Sequence, residues 1–126
     1  MKLDIKEFAG RVKPIIDNET YSIHDLEYLE HLNVCLNILH PGKETRGHEH
    51  DNSDEVYVIM DGEGEVQIGE KRFPVQTGDI LLVKRGEFHK TFNTTDEDLV
   101  YLTIFEKYAG RGGSAPVKYA KQPGKK

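Results

Sequence analysis

The sequence predicts an all-β fold, a sandwich or a barrel, on three observations. Apolar residues recur at a period of two in segment after segment. Glycine-bearing turns separate those segments at short, regular intervals. Scarcely any stretch keeps the 3.6-residue period of an amphipathic helix. Strands punctuated in this way close into a sandwich or barrel, whereas an α/β sheet would need helices between its strands.

Residues 1–31 read as an N-terminal arm. Leu3, Ile5, Phe8, Val12, Ile15 and Ile16 are scattered without a clear period, and Pro14 limits any helix, so short turns or an edge strand are expected. Ser22-Ile23-His24-Asp25 sets a carboxylate three residues after a serine, the capping-box pattern, and suggests a short helix or turn running into Leu26 and Leu29. From Leu32 the period becomes two. Leu32, Val34, Leu36 and Ile38 alternate with Asn33, Cys35 and Asn37 as in a half-buried strand, which Pro41-Gly42 ends. Glu55 to Met60 is a strand with Glu55, Tyr57 and Ile59 on one face, and Asp61-Gly62-Glu63-Gly64 turns it back into Glu65–Ile68. Gly62-Glu63-Gly64 lacks the third glycine and the following helix of a nucleotide loop. Phe73 and Val75, Ile80 to Val83, the stretch after Gly86 and Leu99 to Phe105 supply the remaining strands.

At 126 residues the chain supports one domain and one core, placed at residues 1–108. A net charge of −5 and the lack of any run of some eighteen apolar residues exclude a membrane-spanning helix. Met1 to Glu7 is mixed in charge, without the apolar run of a signal peptide, and the single cysteine, Cys35, has no internal disulfide partner. A cytoplasmic location is therefore expected. Residues 109–126 carry basic residues and no acid and read as a flexible basic tail. Nucleic-acid binding is not expected, because the acidic body would repel a phosphate backbone and only Tyr108 and Tyr119 could stack.

The chemistry concentrates in two stretches. The first runs from Gly42 to Gly62. His48 and His50, two residues apart on a strand, can approach one ion together, and the turn-forming Asp51-Asn52-Ser53-Asp54 resets the facing so that Glu55 joins them. The second runs from Gly78 to Asn93, where His89, Thr91 and Asn93 share a face. Three imidazoles and one carboxylate make a site for one divalent transition metal: Mn, Fe, Ni, Co or Zn. His24, His31 and His40 lack such surroundings and read as ordinary surface or core histidines.

These stretches resemble the paired motifs of the cupin superfamily. Gly42, His48, His50, Glu55 and Gly62 match the first motif at every spacing, and Gly78, Gly86, His89 and Asn93 match the second, with Lys84 where proline is usual. The resemblance covers residues 32 to 106. It implies a small single-domain cupin, a double-stranded β-helix or jelly-roll barrel, with the metal on His48, His50, Glu55 and His89. The segment from Thr45 to His50 and the ending from Phe105 to Arg111 are similar to those of small cupins grouped with sugar-phosphate isomerases.

Four side chains on a six-coordinate ion leave two adjacent positions, where a small oxygen-rich ligand such as a hydroxy-ketone, a hydroxy-acid or a diol would chelate. The expected function is a metal-dependent, isomerase-like enzyme for a small carbohydrate or sugar phosphate. The alternatives are an Fe- or Mn-dependent dioxygenase and a non-catalytic ligand-binding module. Tyr57, Arg46 and Thr91 are the candidate substrate contacts, Lys84 and Arg85 are further donors near the mouth, and no residue is assigned as the base. A small jelly roll leaves an apolar sheet face and open edges, so a homodimer is expected.

Overall fold

A computed structural model gives the structure over residues 2–5, 7, 14–26, 29–49, 53–106 and 118–119. Eleven strands form among these residues: β1 (Pro14–Asp17), β2 (Tyr21–Leu26), β3 (Leu32–Leu39), β4 (His48–Glu49), β5 (Glu55–Asp61), β6 (Glu63–Ile68), β7 (Lys71–Gln76), β8 (Ile80–Val83), β9 (His89–Phe92), β10 (Leu99–Glu106) and β11 (Lys118–Tyr119). They build a six-stranded sheet ordered β1-β2-β3-β10-β5-β8 and a five-stranded sheet ordered β11-β4-β9-β6-β7. This is the all-β jelly roll. Pro74 sits in β7, at an edge of the smaller sheet, where its missing N–H costs no ladder bond.

β10 is the spine of the larger sheet, paired with β3 on one side and β5 on the other. Its alternation sends Leu99, Tyr101, Thr103 and Phe105 inward and Val100, Leu102 and Ile104 outward. Register then fixes rows across the inner face. Leu39 and Leu99 lie opposite each other at one end. Asn37, Tyr101 and Ile59 follow, and then Asp25, Cys35, Thr103, Tyr57 and Leu81. Asn33, Phe105, Glu55 and Val83 form the row at the far end. The interior is therefore graded. Leu39, Ile59, Val66, Val75 and Leu99 make a dry core at one end, and the polar groups collect at the other.

Two expectations need correction. Ser22 to Asp25 is not a helix or turn but part of β2, held by pairing with β3 from Tyr21↔Leu39 to Leu26↔Val34. The capping pattern is overridden because Tyr21, Ile23 and Asp25 alternate inward on a strand that completes the sheet. In β3 both faces bury residues, Leu36 among them at 1% exposed, and the face turned into the barrel is the polar one. Asn33, Cys35 and Asn37 point inward and are buried, whereas Leu32 is 43% exposed. The aliphatic residues lie on the outer face, in rows that read Leu36, Leu102, Val58, Ile80 and Val34, Ile104, Val56, Leu82. Ile80 and Leu82 are 64% and 70% exposed there.

Candidate metal centre

The start of β5 is tied to two other segments. Ser53 Oγ donates to the Asp54 carbonyl at 2.7 Å and accepts from Glu106 N at 3.0 Å, which joins the strand to the end of β10. Asp54 Oδ1 accepts from Arg85 N at 2.9 Å, which joins it to the bend 84–87. That bend is closed by Glu87 N donating to the Lys84 carbonyl at 3.0 Å, with Gly86 at φ 80°, the left-handed position of a type II turn. Lys84, standing where proline is usual, donates its N–H to Glu87 Oε1 at 2.8 Å. The amide that proline lacks is used to stiffen the bend.

Glu87 also orients the first candidate ligand. Its carbonyl lies 3.0 Å from His89 Nδ1. A carbonyl only accepts, so Nδ1 carries the proton and Nε2 faces the interior as the acceptor nitrogen. Nε2 lies 3.2 Å from Glu55 Oε2, and both side chains are buried. A ring lone pair and a carboxylate oxygen repel at this separation unless a proton or a metal ion lies between them.

β4 brings His48 directly opposite His89 in the ladder. Phe88 packs against Gly47 so closely that a Cβ there would strike its ring, and this fixes how near the two histidine-bearing strands approach. His50 lies outside the described residues. Among the described residues no group of three or more His, Cys, Asp or Glu side chains is arranged to hold a metal ion, and Glu55 and His89 are the pair that the structure brings into contact.

The other candidates are placed as follows. Tyr57 is buried beside the pair, its ring edge-on to His89 with centroids 5.9 Å apart and stacked on Tyr101 at 5.4 Å. Thr91 is buried under the two phenols and hydrogen-bonded to them, and its backbone is clasped by Thr45 through N–H to Oγ1 at 2.9 Å. Arg46, Lys84 and Arg85 are exposed. His24 is buried near Ser22, His31 is exposed and His40 pairs with Asp98 at 3.1 Å, none of them near the Glu55–His89 pair in the register.

Sequence reasoning missed Asp25, Asn33, Asn37, Tyr101 and Thr103. All five are buried on the inner face of the larger sheet. The signal was present in residues 33–37, whose polar positions alternate as cleanly as the apolar ones.

Burial dominates the acid–base behaviour of these groups. It pushes the Cys35 thiol from 9.0 up to about 12, reinforced by the charges of Asp25 and Glu55. It pushes the phenols of Tyr57 and Tyr101 up as well, and the Glu55 charge adds to both, with hydrogen bonds to Thr91 acting the other way. The native chain thus keeps protons that the unfolded chain releases in alkali. Their contribution to stability is complete below the unfolded values and declines as pH rises past them. The urea midpoint is expected to hold steady from pH 7 to about 9 and to fall above that. A midpoint that climbs over the same range contradicts the assignment.

The sequence profile described as the cupin domain matches residues 36–105. The chain is a cupin. Among similar proteins, this cupin is 36% identical over 124 residues to a glucose-6-phosphate isomerase of Pyrococcus abyssi, a match covering 86% of the chain and 65% of that protein. It is 35% identical over 66 residues to an oxalate-binding protein of Thermotoga maritima, covering 52% of the chain and 54% of that protein. A solved structure of a Klebsiella pneumoniae protein with a double-stranded β-helix domain superposes with a TM-score of 0.76 at 21% identity, covering 95% of this chain and 96% of that one. The cupin spans between 59 and 65% of the length of the first isomerases it matches. Its profile-matched segment contains Glu55 and His89, whereas Asp25 and Asn33 fall before it. No helix among the described residues is long and apolar enough to cross a membrane.

Proposed function

We propose that this cupin is a metal-dependent enzyme acting on a small carbohydrate or its phosphate with isomerase-like chemistry, and that His48, His50, Glu55 and His89 hold the ion. The observation that carries the proposal is the buried approach of His89 Nε2 to Glu55 Oε2 at 3.2 Å, with the other ring nitrogen already committed to the Glu87 carbonyl. Imidazole and carboxylate together suit Mn, Fe, Co, Ni or Zn, so the donor set fits such an ion. When bound, the ion would supply polarisation of a chelated oxygen and ease the loss of a proton from the adjacent carbon.

The chain's own groups would do the rest. Glu87 holds the His89 ring in one tautomer. The Tyr57 phenol, kept protonated by burial, is available as a hydrogen-bond donor to a ligand oxygen rather than as a base. Thr91 holds that phenol from the opposite sheet. Arg46, exposed on the approach to His48, is the contact proposed for a phosphate at the mouth. The similarity to proteins named glucose-6-phosphate isomerase supports the sugar class.

A second reading, capture of a small ligand without turnover, is favoured by the similarity to an oxalate-binding protein. Elemental analysis followed by incubation with glucose 6-phosphate and fructose 6-phosphate, read by NMR, separates the two. Interconversion that a chelator abolishes is expected. Tight ligand binding with no turnover would favour capture instead, and oxygen uptake by the iron form would indicate an oxygenase.

The proposal includes a homodimer in a cytoplasmic setting, built on the aliphatic outer face of β3, β10, β5 and β8, which is too continuous to face water alone. Leu82→Glu places a charge on that face and is expected to convert a sedimenting dimer to monomer. A wild-type chain that sediments as a monomer removes this part of the proposal.

A further inference from the structure

Lys118 and Tyr119, from the basic stretch that follows β10, form β11 and pair with β4, Lys118 opposite Glu49 and Tyr119 opposite His48. On its other side His48 stands opposite His89 of β9. One row of the smaller sheet therefore runs Tyr119, His48, His89, Ile68, and it carries two of the four proposed ligands. β11 lies beyond residues 36–105, the segment that matches the cupin profile.

The chain leading to β4 is clasped to β9. Asn93 N donates to the Lys43 carbonyl at 2.8 Å, Thr45 N donates to the Thr91 carbonyl at 2.9 Å, and Glu44 bridges to Phe92. At β4 the clasp thins. The strand is two residues long, and its ladder with β9 is the single pair His48↔His89. Among the described residues, β11 supplies the pairing on the open side of β4, with two pairs against that one. The residues it sets opposite each other, Lys118 and Glu49, are of opposite charge, the combination that favours a cross-strand pair. Without β11, β4 would be a two-residue sheet edge with unpaired N–H and C=O groups, too short to hold its own register. A metal ligand tolerates little of that freedom, since donor distances hold to within about 0.2 Å.

We propose that β11 is a positioning strand of the metal centre: it closes the open side of β4 and so keeps His48 in register with His89. This rests on the reading of His48 and His89 as ligands.

Mn(II) affinity of the full chain, read from the electron paramagnetic resonance signal of the free ion, tests it in two variants. Lys118→Pro/Tyr119→Pro removes both N–H groups that β11 can give to β4. It is expected to weaken Mn(II) about ten-fold, the effect of losing an outer support of a ligand, while the metal-free chain melts like metal-free wild type. Glu49→Cys/Lys118→Cys places two thiols at directly opposite positions, where Cα atoms are about 4.5–5.5 Å apart and a disulfide forms without strain. Cys35 is buried and its thiol keeps its proton, so it does not compete. Mild oxidation is expected to give the 49–118 bridge, seen by peptide mass, and the bridged chain is expected to bind Mn(II) at least as tightly as the same chain reduced. The inference is overturned if no bridge forms, if bridging weakens Mn(II), or if the proline variant either binds like wild type or melts lower without metal. A wild-type chain that takes up no Mn(II) overturns the metal reading and this inference with it, whereas uptake by wild type with no loss in the proline variant overturns the inference alone.

Discussion

Glu55→Ala is expected to empty the centre. Metal retained after gel filtration should drop from about one ion per chain to background, because even outer partners of a metal ligand are worth 10–100-fold in affinity and a ligand is worth at least ~100-fold. The same replacement should not unfold the barrel. The dry core at the other end of the barrel, Leu39, Ile59, Val66, Val75 and Leu99, is untouched by it. The metal-free variant is therefore expected to keep a cooperative melt, and Glu55→Gln, of nearly equal volume, should behave likewise. His89→Ala should also lose the ion. A Glu55→Ala chain that keeps its full metal content and affinity would show that the carboxylate is not a ligand.

Leu99→Ala is expected to be the most damaging replacement away from the centre. Leu99 is completely buried, opposite the equally buried Leu39, in the dry end of the barrel with Ile59, Val66 and Val75. Truncation there should cost about 3–5 kcal/mol, since a cavity between two hydrogen-bonded sheets cannot easily collapse. Set against a typical total of about 5–15 kcal/mol, that loss should shift the urea midpoint by a large fraction of its value. A loss below about 1 kcal/mol would mean that the two sheets relax into the void, contrary to the close packing of that end.

The jelly roll and the Glu55–His89 pair were legible in the sequence for one physical reason: both follow from the period-two geometry of strands and from the turn residues that reset it. Glu55 does face inward with Tyr57 and Ile59, as the strand's alternation required, whereas Asp51 and Asn52 of the expected bend lie outside the described residues. The same rule misled at β3, where apolar alternation suggested the core face and the inner face was in fact Asn33, Cys35 and Asn37. Periodicity locates two faces but does not say which one the fold will close over. When the interior is a binding site and the exterior sheet face is aliphatic, the usual assignment reverses. At β2 the serine-to-aspartate spacing is a local preference of about 1 kcal/mol, and six paired positions with β3 outweigh it. Asp25 was invisible as an interior group for the same reason, because its facing is decided by a partner strand.

The bend at Lys84 has an evolutionary consequence. Chains with proline there restrict a backbone torsion covalently, whereas this one engages the free amide with the Glu87 carboxylate at 2.8 Å. The two devices are interchangeable only as a pair: Lys84→Pro makes the carboxylate redundant, and Glu87→Ala leaves the amide idle. The two replacements should therefore be strongly non-additive in a double-mutant cycle. Positions 84 and 87 are expected to drift together among descendants of this chain.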